Sequence, residues 1–301
     1  MNWVLFALLA PFFLTITAFL DKYIVEDQVH DHRAMTIYVG VIALFYGTVF
    51  WIVAGGPLLS LDVILLTMFK GSLIAFTAVL YFKAMSTEQA SSVIILTQTA
   101  PILVLVLSFI FLGEVITLAQ LAGFMLILVA AISISLARSE QSGALRLSPA
   151  FWLISAGNTL LAVSLVLAKY IIDRHHFMDI AGYESWGLAL GALIIYLFVP
   201  SFRQVFNHSV RVIPRSGLAF IFLSESIFTV AKLMNFAAFE LGGPVALVSV
   251  LASTQIFIGL LFGWALTLIS PATFKEDIAR VGLAKKAVFA MVMFIGVQLV
   301  S

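Results

Sequence analysis

The sequence has no cysteine and only 10% charged residues among 301. Without cysteine there can be no disulfide, no thiolate metal site and no cysteine nucleophile. The scarcity of charge excludes more, since soluble chains average about 25% charged and about 45–50% apolar residues. Here 62% of the side chains are apolar and the mean hydropathy is +1.14. A soluble enzyme, a nucleic-acid binder and a disordered scaffold are excluded on that ground. The 16 basic and 15 acidic residues nearly cancel, so net charge points to no polyanionic partner. There is no Walker loop, no His-Glu-x-x-His, no Gly-x-Ser-x-Gly and no pair of mid-span carboxylates. Direct ATP use, intramembrane catalysis and a resident cofactor are therefore not expected, and no catalytic residue is assigned. What remains is an all-α integral membrane protein.

Continuous apolar runs of about 20 residues fit membrane helices, not barrel strands, which alternate over about ten residues. Ten runs can be read: 3–24, 35–54, 62–83, 89–112, 116–137, 149–172, 181–200, 215–239, 244–269 and 284–300. Turn residues separate them, notably Gly55-Gly56-Pro57, Gly113-Glu114, Pro200, Pro214 and Gly242-Gly243-Pro244. The first run lacks a basic leader and a small-residue cleavage site, so it reads as a mature helix. The link 270–286 is the one rich in charge. It reads either as a short interfacial helix or as a solvated loop.

The chain repeats itself. A shift of 147 residues lays Leu20-Asp21-Lys22-Tyr23-Ile24 on Leu167-Ala168-Lys169-Tyr170-Ile171, and a shift of 154 lays Phe82-Lys83-Ala84 on Phe236-Ala237-Ala238. Splitting the chain at its polar middle gives units 1–140 and 141–301 with five spans each. Five is odd, so the second unit inserts upside down, as in transporters built from inverted repeats.

Ala90-Ser-Ser-Val-Ile-Ile-Leu-Thr-Gln-Thr-Ala-Pro101, the run to Phe111-Leu112-Gly113-Glu114, and Leu118-Ala-Gln-Leu-Ala-Gly123 resemble the fourth and fifth helices of an EamA unit of the drug/metabolite transporter superfamily. The resemblance extends over the chain as two five-helix units. In the second, Leu266-Thr267-Leu268-Ile269-Ser270-Pro271 stands where Leu-Gly-Glu would recur. The resemblance implies a secondary-active transporter of small metabolites, such as amino acids or amines, that works by alternating access as an exporter or exchanger. A lipid or lipid-linked sugar translocase of the same fold is the alternative. The expected setting is the inner (plasma) membrane, with a small-molecule substrate, the lipid bilayer and a proton as partners, in a monomer or homodimer. Orientation is contested. Twelve Lys and Arg fall in the odd-numbered links against two, Lys169 and Arg174, in the even ones. That bias places both termini outside, whereas the resemblance implies both inside.

Ionisable residues within spans are expensive and mark candidate sites. Lys70 in span three has Ile74, Thr77 and Tyr81 on its face. Glu225, Thr229, Lys232 and Asn235 form a stripe in span eight. Glu225 is the candidate for a substrate amine or for proton coupling. Lys70 or Lys232 would then meet a carboxylate, unless Lys70–Glu225 or Glu225–Lys232 is a buried ion pair that fixes packing. Glu184 reads as a cavity carboxylate or as an interfacial residue among aromatic neighbours. Gln98, ahead of Pro101, and Gln255 at the matching depth of span nine complete the candidate substrate-binding set. Proline has no N–H to donate, so Pro101 leaves a carbonyl free for a ligand or a neighbouring hydroxyl. Glu114 reads as a helix cap, Asn158 as a packing residue, and the five histidines as solvated loop residues with no metal assigned.

Overall fold

The structure is a computed structural model that describes residues 3–112, 117–119, 121–123, 125–126, 129–130, 148–269 and 280–300. Its helices are α1 (Trp3–Tyr23), α2 (His32–Val53), α3 (Leu61–Met85), α4 (Ala90–Thr97), α5 (Ala100–Leu112), α6 (Pro149–Ile172), α7 (Phe177–Phe198), α8 (Pro200–Val212), α9 (Arg215–Glu240), α10 (Val245–Ala252), α11 (Gln255–Ile269) and α12 (Arg280–Val300). Local chemistry sets their ends. The Asp31 carboxylate accepts from the Arg33 N–H at 2.9 Å and caps α2. Ser148 caps α6 ahead of Pro149, a first-turn position where a missing N–H costs nothing. Gly55 and Gly242 follow α2 and α9 with φ of 79° and 87°, a conformation open to glycine without strain.

Among the described residues, seven stretches of helix are long and apolar enough to cross a membrane. Their outward surfaces are hydrophobic: Leu44, Phe45, Ile52, Leu65 and Leu197 are all exposed. The chain is a multi-pass membrane protein. Of the expected span 116–137, the described residues 118–119, 121–123, 125–126 and 129–130 are helical. Glu114, the middle link and residues 270–279 lie outside the described residues, while 280–286 begin α12.

Three features depart from ten simple rods. α1 runs on through a π-helical turn, Ile24–Val29, which takes up much of the link expected between the runs 3–24 and 35–54. The link before Pro214 holds a helix, α8, whose Phe202, Val205 and Phe206 pack inward while Arg203, Gln204 and Arg211 are exposed. It is an amphipathic, interface-type helix. Expected spans four and nine are each broken in the middle, at Gln98-Thr99 and at Ser253-Thr254.

Lys22 and Lys169, which the shift of 147 residues aligns, make similar bonds. Lys22 bonds Glu26 at 2.6 Å and donates to the Met85 carbonyl at 2.8 Å and the Glu88 carbonyl at 2.7 Å. Lys169 bonds Asp173 at 2.6 Å and donates to the Phe239 carbonyl at 3.3 Å. Each lysine thus lies near the end of a helix, α1 or α6, and donates to carbonyls at the C-terminal end of α3 or α9.

Packing between the halves is unequal. α3 lies along α7 with glycines at the crossing. A methyl group on Gly71 would overlap the Glu184 carbonyl, and one on Gly187 would overlap the Met68 backbone. α2 and α9 instead meet through larger side chains: Tyr46 donates to Ser226 at 2.6 Å and stacks on Phe222.

Candidate functional site

A cavity of about 210 Å³ lies between helices of both halves. Its polar lining comes from Asp21 on α1, Tyr81 on α3, Asn158 on α6, Glu225 on α9 and Gln255 on α11. Leu14, Ile74, Leu161 and Phe228 supply part of a larger apolar wall. Asp21 and Tyr81 sit in the last turns of their helices, so the cavity extends toward the side where α1 and α3 end.

Asp21 is 3% exposed. Its Oδ1 accepts from Ser224 at 2.7 Å, and it also accepts from the Tyr81 hydroxyl. Glu225, next to Ser224 in the chain, is 6% exposed and within electrostatic reach of Asp21. Sequence spacing reveals no such carboxylate pair, because its members are 204 positions apart (225 − 21) on helices from different halves. The fold creates it.

The cavity borders the two broken helices. Gln98 donates to Gln255 at 3.2 Å, joining break to break. Pro101 lies in the first turn of α5 and cannot bond the carbonyl four residues back, that of Thr97. The Asn158 amide takes that role, donating to the Thr97 and Leu96 carbonyls at 3.2 Å and to the Thr99 hydroxyl at 2.7 Å. The free carbonyl expected from Pro101 is thus met by a side-chain amide. We expect Asn158→Leu to leave the Thr97 carbonyl unmet, while that of Leu96 keeps Thr99 as a donor, and to cost about 1–3 kcal/mol. Thermal unfolding in detergent would register this as a lower midpoint, with Asn158→Gln partly restoring it.

The intramembrane lysines are elsewhere. Lys70, 1% exposed, donates to Glu184 Oε1 and lies 4.7 Å from the centre of the Phe236 ring. Lys232 stands 3.5 Å from Glu184 Oε2 and donates to Ser185 at 3.0 Å. The expected pairings of Glu225 with Lys70 or with Lys232 are therefore replaced by a Lys70–Glu184–Lys232 cluster. Its cause is the glycine-mediated approach of α3 to α7, which brings Lys70 onto Glu184. At 3% exposure, Glu184 is no interfacial residue. The cluster lies toward the opposite side from the cavity, about two turns from the start of α7 and from the end of α9.

Of the residues singled out from sequence, Tyr81, Glu225 and Gln255 line the cavity and Gln98 reaches it through Gln255. Lys70, Glu184 and Lys232 form the separate cluster. Asn235 is half-buried on α9, its Oδ1 enclosed and unpartnered among the described residues. Asp21, Asn158, Thr17 and Thr77 are lining residues that the sequence reading did not select. For Asp21 one signal was available: the repeat sets it against Ala168, so its charge is not part of the common framework.

Residues 1–136 match the EamA-like transporter family. No curated protein matches the chain. A solved structure titled only "Crystal structure of protein" has the same fold at a TM-score of 0.60 and 18% identity, covering 98% of this chain and 99% of its own. The likeness in fold thus runs through both halves, well beyond the matched residues. The chain is a multi-pass membrane protein, helical through most of its described residues, and over residues 1–136 it is similar to the EamA-like transporter family.

Proposed function

We propose that this chain is a secondary-active transporter of small metabolites, amino acids or amines among them, that works as an exporter or exchanger in the inner (plasma) membrane. The cavity between the two halves, bordered by both broken helices, carries this reading. Discontinuous helices that meet at mid-membrane between inverted repeats are how such transporters build a solute site. The units 1–140 and 141–301 would rock about it. Support for the inverted arrangement comes from the paired roles of Lys22 and Lys169. Support for alternating access comes from the inequality of the two sides, with a cavity on one and a close-packed ionic cluster on the other. A volume of about 210 Å³ is below the about 300–1,000 Å³ of drug-sized sites, which favours a small solute over a lipid-linked sugar.

Counterflow in proteoliposomes tests this. Vesicles preloaded with pooled amino acids, amines, nucleosides and sugars, with pyranine inside, are expected to exchange at least one class above the rate of protein-free vesicles. Absence of exchange by folded protein would overturn the solute reading, and movement of fluorescent lipids in the same vesicles would establish the translocase instead.

A further inference from the structure

The charge in the cavity is all of one sign. Its lining holds two carboxylates, Asp21 and Glu225, and no lysine, arginine or histidine. The nearby cations are committed elsewhere. Lys22 is bound to Glu26 and to carbonyls at the end of α3, Lys70 to Glu184, and Lys232 to Ser185 beside Glu184. Asp21 has donors in Ser224 and Tyr81. Glu225 is 6% exposed, lines the cavity and has no hydrogen bond or ion pair among the described residues. Lys232 is within electrostatic reach of Glu225 but outside the cavity lining and held by Glu184, so two buried carboxylates with no cation in contact are too costly to leave both ionised in an apolar membrane interior. A proton or a bound cation must supply the missing charge.

We propose that the cavity selects small organic cations, with the positive nitrogen between Asp21 and Glu225 and an apolar body against Leu14, Ile74 and Phe228, and that each cation bound displaces a proton from the carboxylate pair. This rests on the transport reading and narrows its substrates from metabolites in general to amines. An amino acid would bring a carboxylate into a site with no cation to receive it. The groups facing Glu225 are Asp21 from α1, Tyr81 from α3 and Lys232 two turns along its own helix. Tyr46 of α2 is bonded to the neighbouring Ser226, while α6 and α11 contribute only the amides of Asn158 and Gln255. The exchange balances: one monovalent cation enters, one O–H bond breaks, the proton leaves to solvent, and the net charge of the site is unchanged.

The probe is 1-methyl-4-phenylpyridinium, a permanent cation with no proton to lose. Equilibrium dialysis against the purified full chain in weakly buffered detergent, with a pH indicator, reads binding and proton release together. Wild type is expected to bind the probe saturably and to release about one proton per cation bound at a pH where the empty pair holds a proton. Glu225→Gln should weaken binding at least about tenfold and abolish the release. Glu225→Asp should retain both, and Asp21→Asn should reduce both. The anion 4-phenylbutyrate should neither bind nor compete. Equal binding by wild type and Glu225→Gln, binding without proton release, or competition by the anion would each overturn the proposal. If amino acids exchange in counterflow while the probe neither binds nor exchanges, cation selection fails and transport stands. If the probe binds with proton release but nothing crosses the vesicle membrane, the transport reading fails and the site stands.

Discussion

Replacing Glu184 with Gln is expected to destabilise the protein more than replacing either lysine that faces it. Among the described residues, Glu184 is the carboxylate in ion-pair contact with both Lys70 and Lys232. Its loss leaves two cations confined in the interior without a contacting carboxylate, Lys232 keeping only the more distant Glu225. Removing one partner of a buried ion pair costs about 3–5 kcal/mol in soluble proteins, and the membrane interior offers no more solvation than a soluble core. Lys70→Met keeps Glu184 paired with Lys232 and removes a side chain that is only 1% exposed, so its cost is expected to be smaller. Lys232→Met retains the closer Lys70–Glu184 contact and should be milder still. Thermal midpoints of the three variants, measured in one detergent, check this order. If Glu184→Gln is no worse than Lys232→Met, the cluster is not what holds α3, α7 and α9 together.

The double variant Lys70→Met/Glu184→Met separates packing from charge. Apolar replacements of buried ion pairs are often neutral in stability, but here Lys232 would keep its cation without a carboxylate opposite. Adding Lys232→Met should therefore recover stability lost by the double variant. Transport by a stable triple variant would assign the cluster to packing alone. A stable triple variant unable to exchange solute would place the cluster in the closure of that side of the cavity.

The spans were legible in sequence wherever hydropathy alone determines them. The reading of 149–172 coincides with α6, and 215–239 falls one residue short of α9. Hydropathy is blind to a break inside an apolar run, so α4 with α5, and α10 with α11, each read as one helix. Pro101 marked the first break chemically, whereas Ser253-Thr254 carries no comparable signal. The 3.6-residue spacing of Phe202, Val205, Phe206 and Ser209 was available to reveal α8, but a link rich in arginine reads first as loop. The candidate site was half legible for a different reason. Burial within a span selected Lys70, Glu184, Glu225 and Lys232 individually, yet which of them meet depends on contacts between distant helices. Asp21 does not stand out in sequence, because Leu-Asp-Lys-Tyr at the end of a span looks like the approach to water. The π-helical continuation of α1 places it beneath a further turn instead.

Gly187→Leu is expected to prevent folding, and Gly187→Ala to cost about 1–3 kcal/mol, the range for overpacking a tight interior. Lipid is as apolar as the helices themselves, so association within the bilayer depends on close packing, and small residues set how near two backbones come. A Cβ on Gly187 would overlap backbone atoms of Met68, which cannot rotate away as a side-chain tip can. α3 and α7 would have to separate, and with them Lys70 from Glu184. Gly191, one turn on, packs equally closely, since a methyl group there would lie 3.0 Å from the Ser72 Cα, so it cannot absorb the shift. Gly259 is the control. The nearest atom to its added methyl is the terminal Cδ1 of Ile94, at 3.0 Å, and that side chain can yield. Gly259→Ala should therefore leave the thermal midpoint nearly unchanged while Gly187→Ala lowers it clearly. Equal midpoints would mean that α3 and α7 are not bound by backbone proximity. The ionic cluster would then have to hold them, which the Glu184→Gln result measures independently.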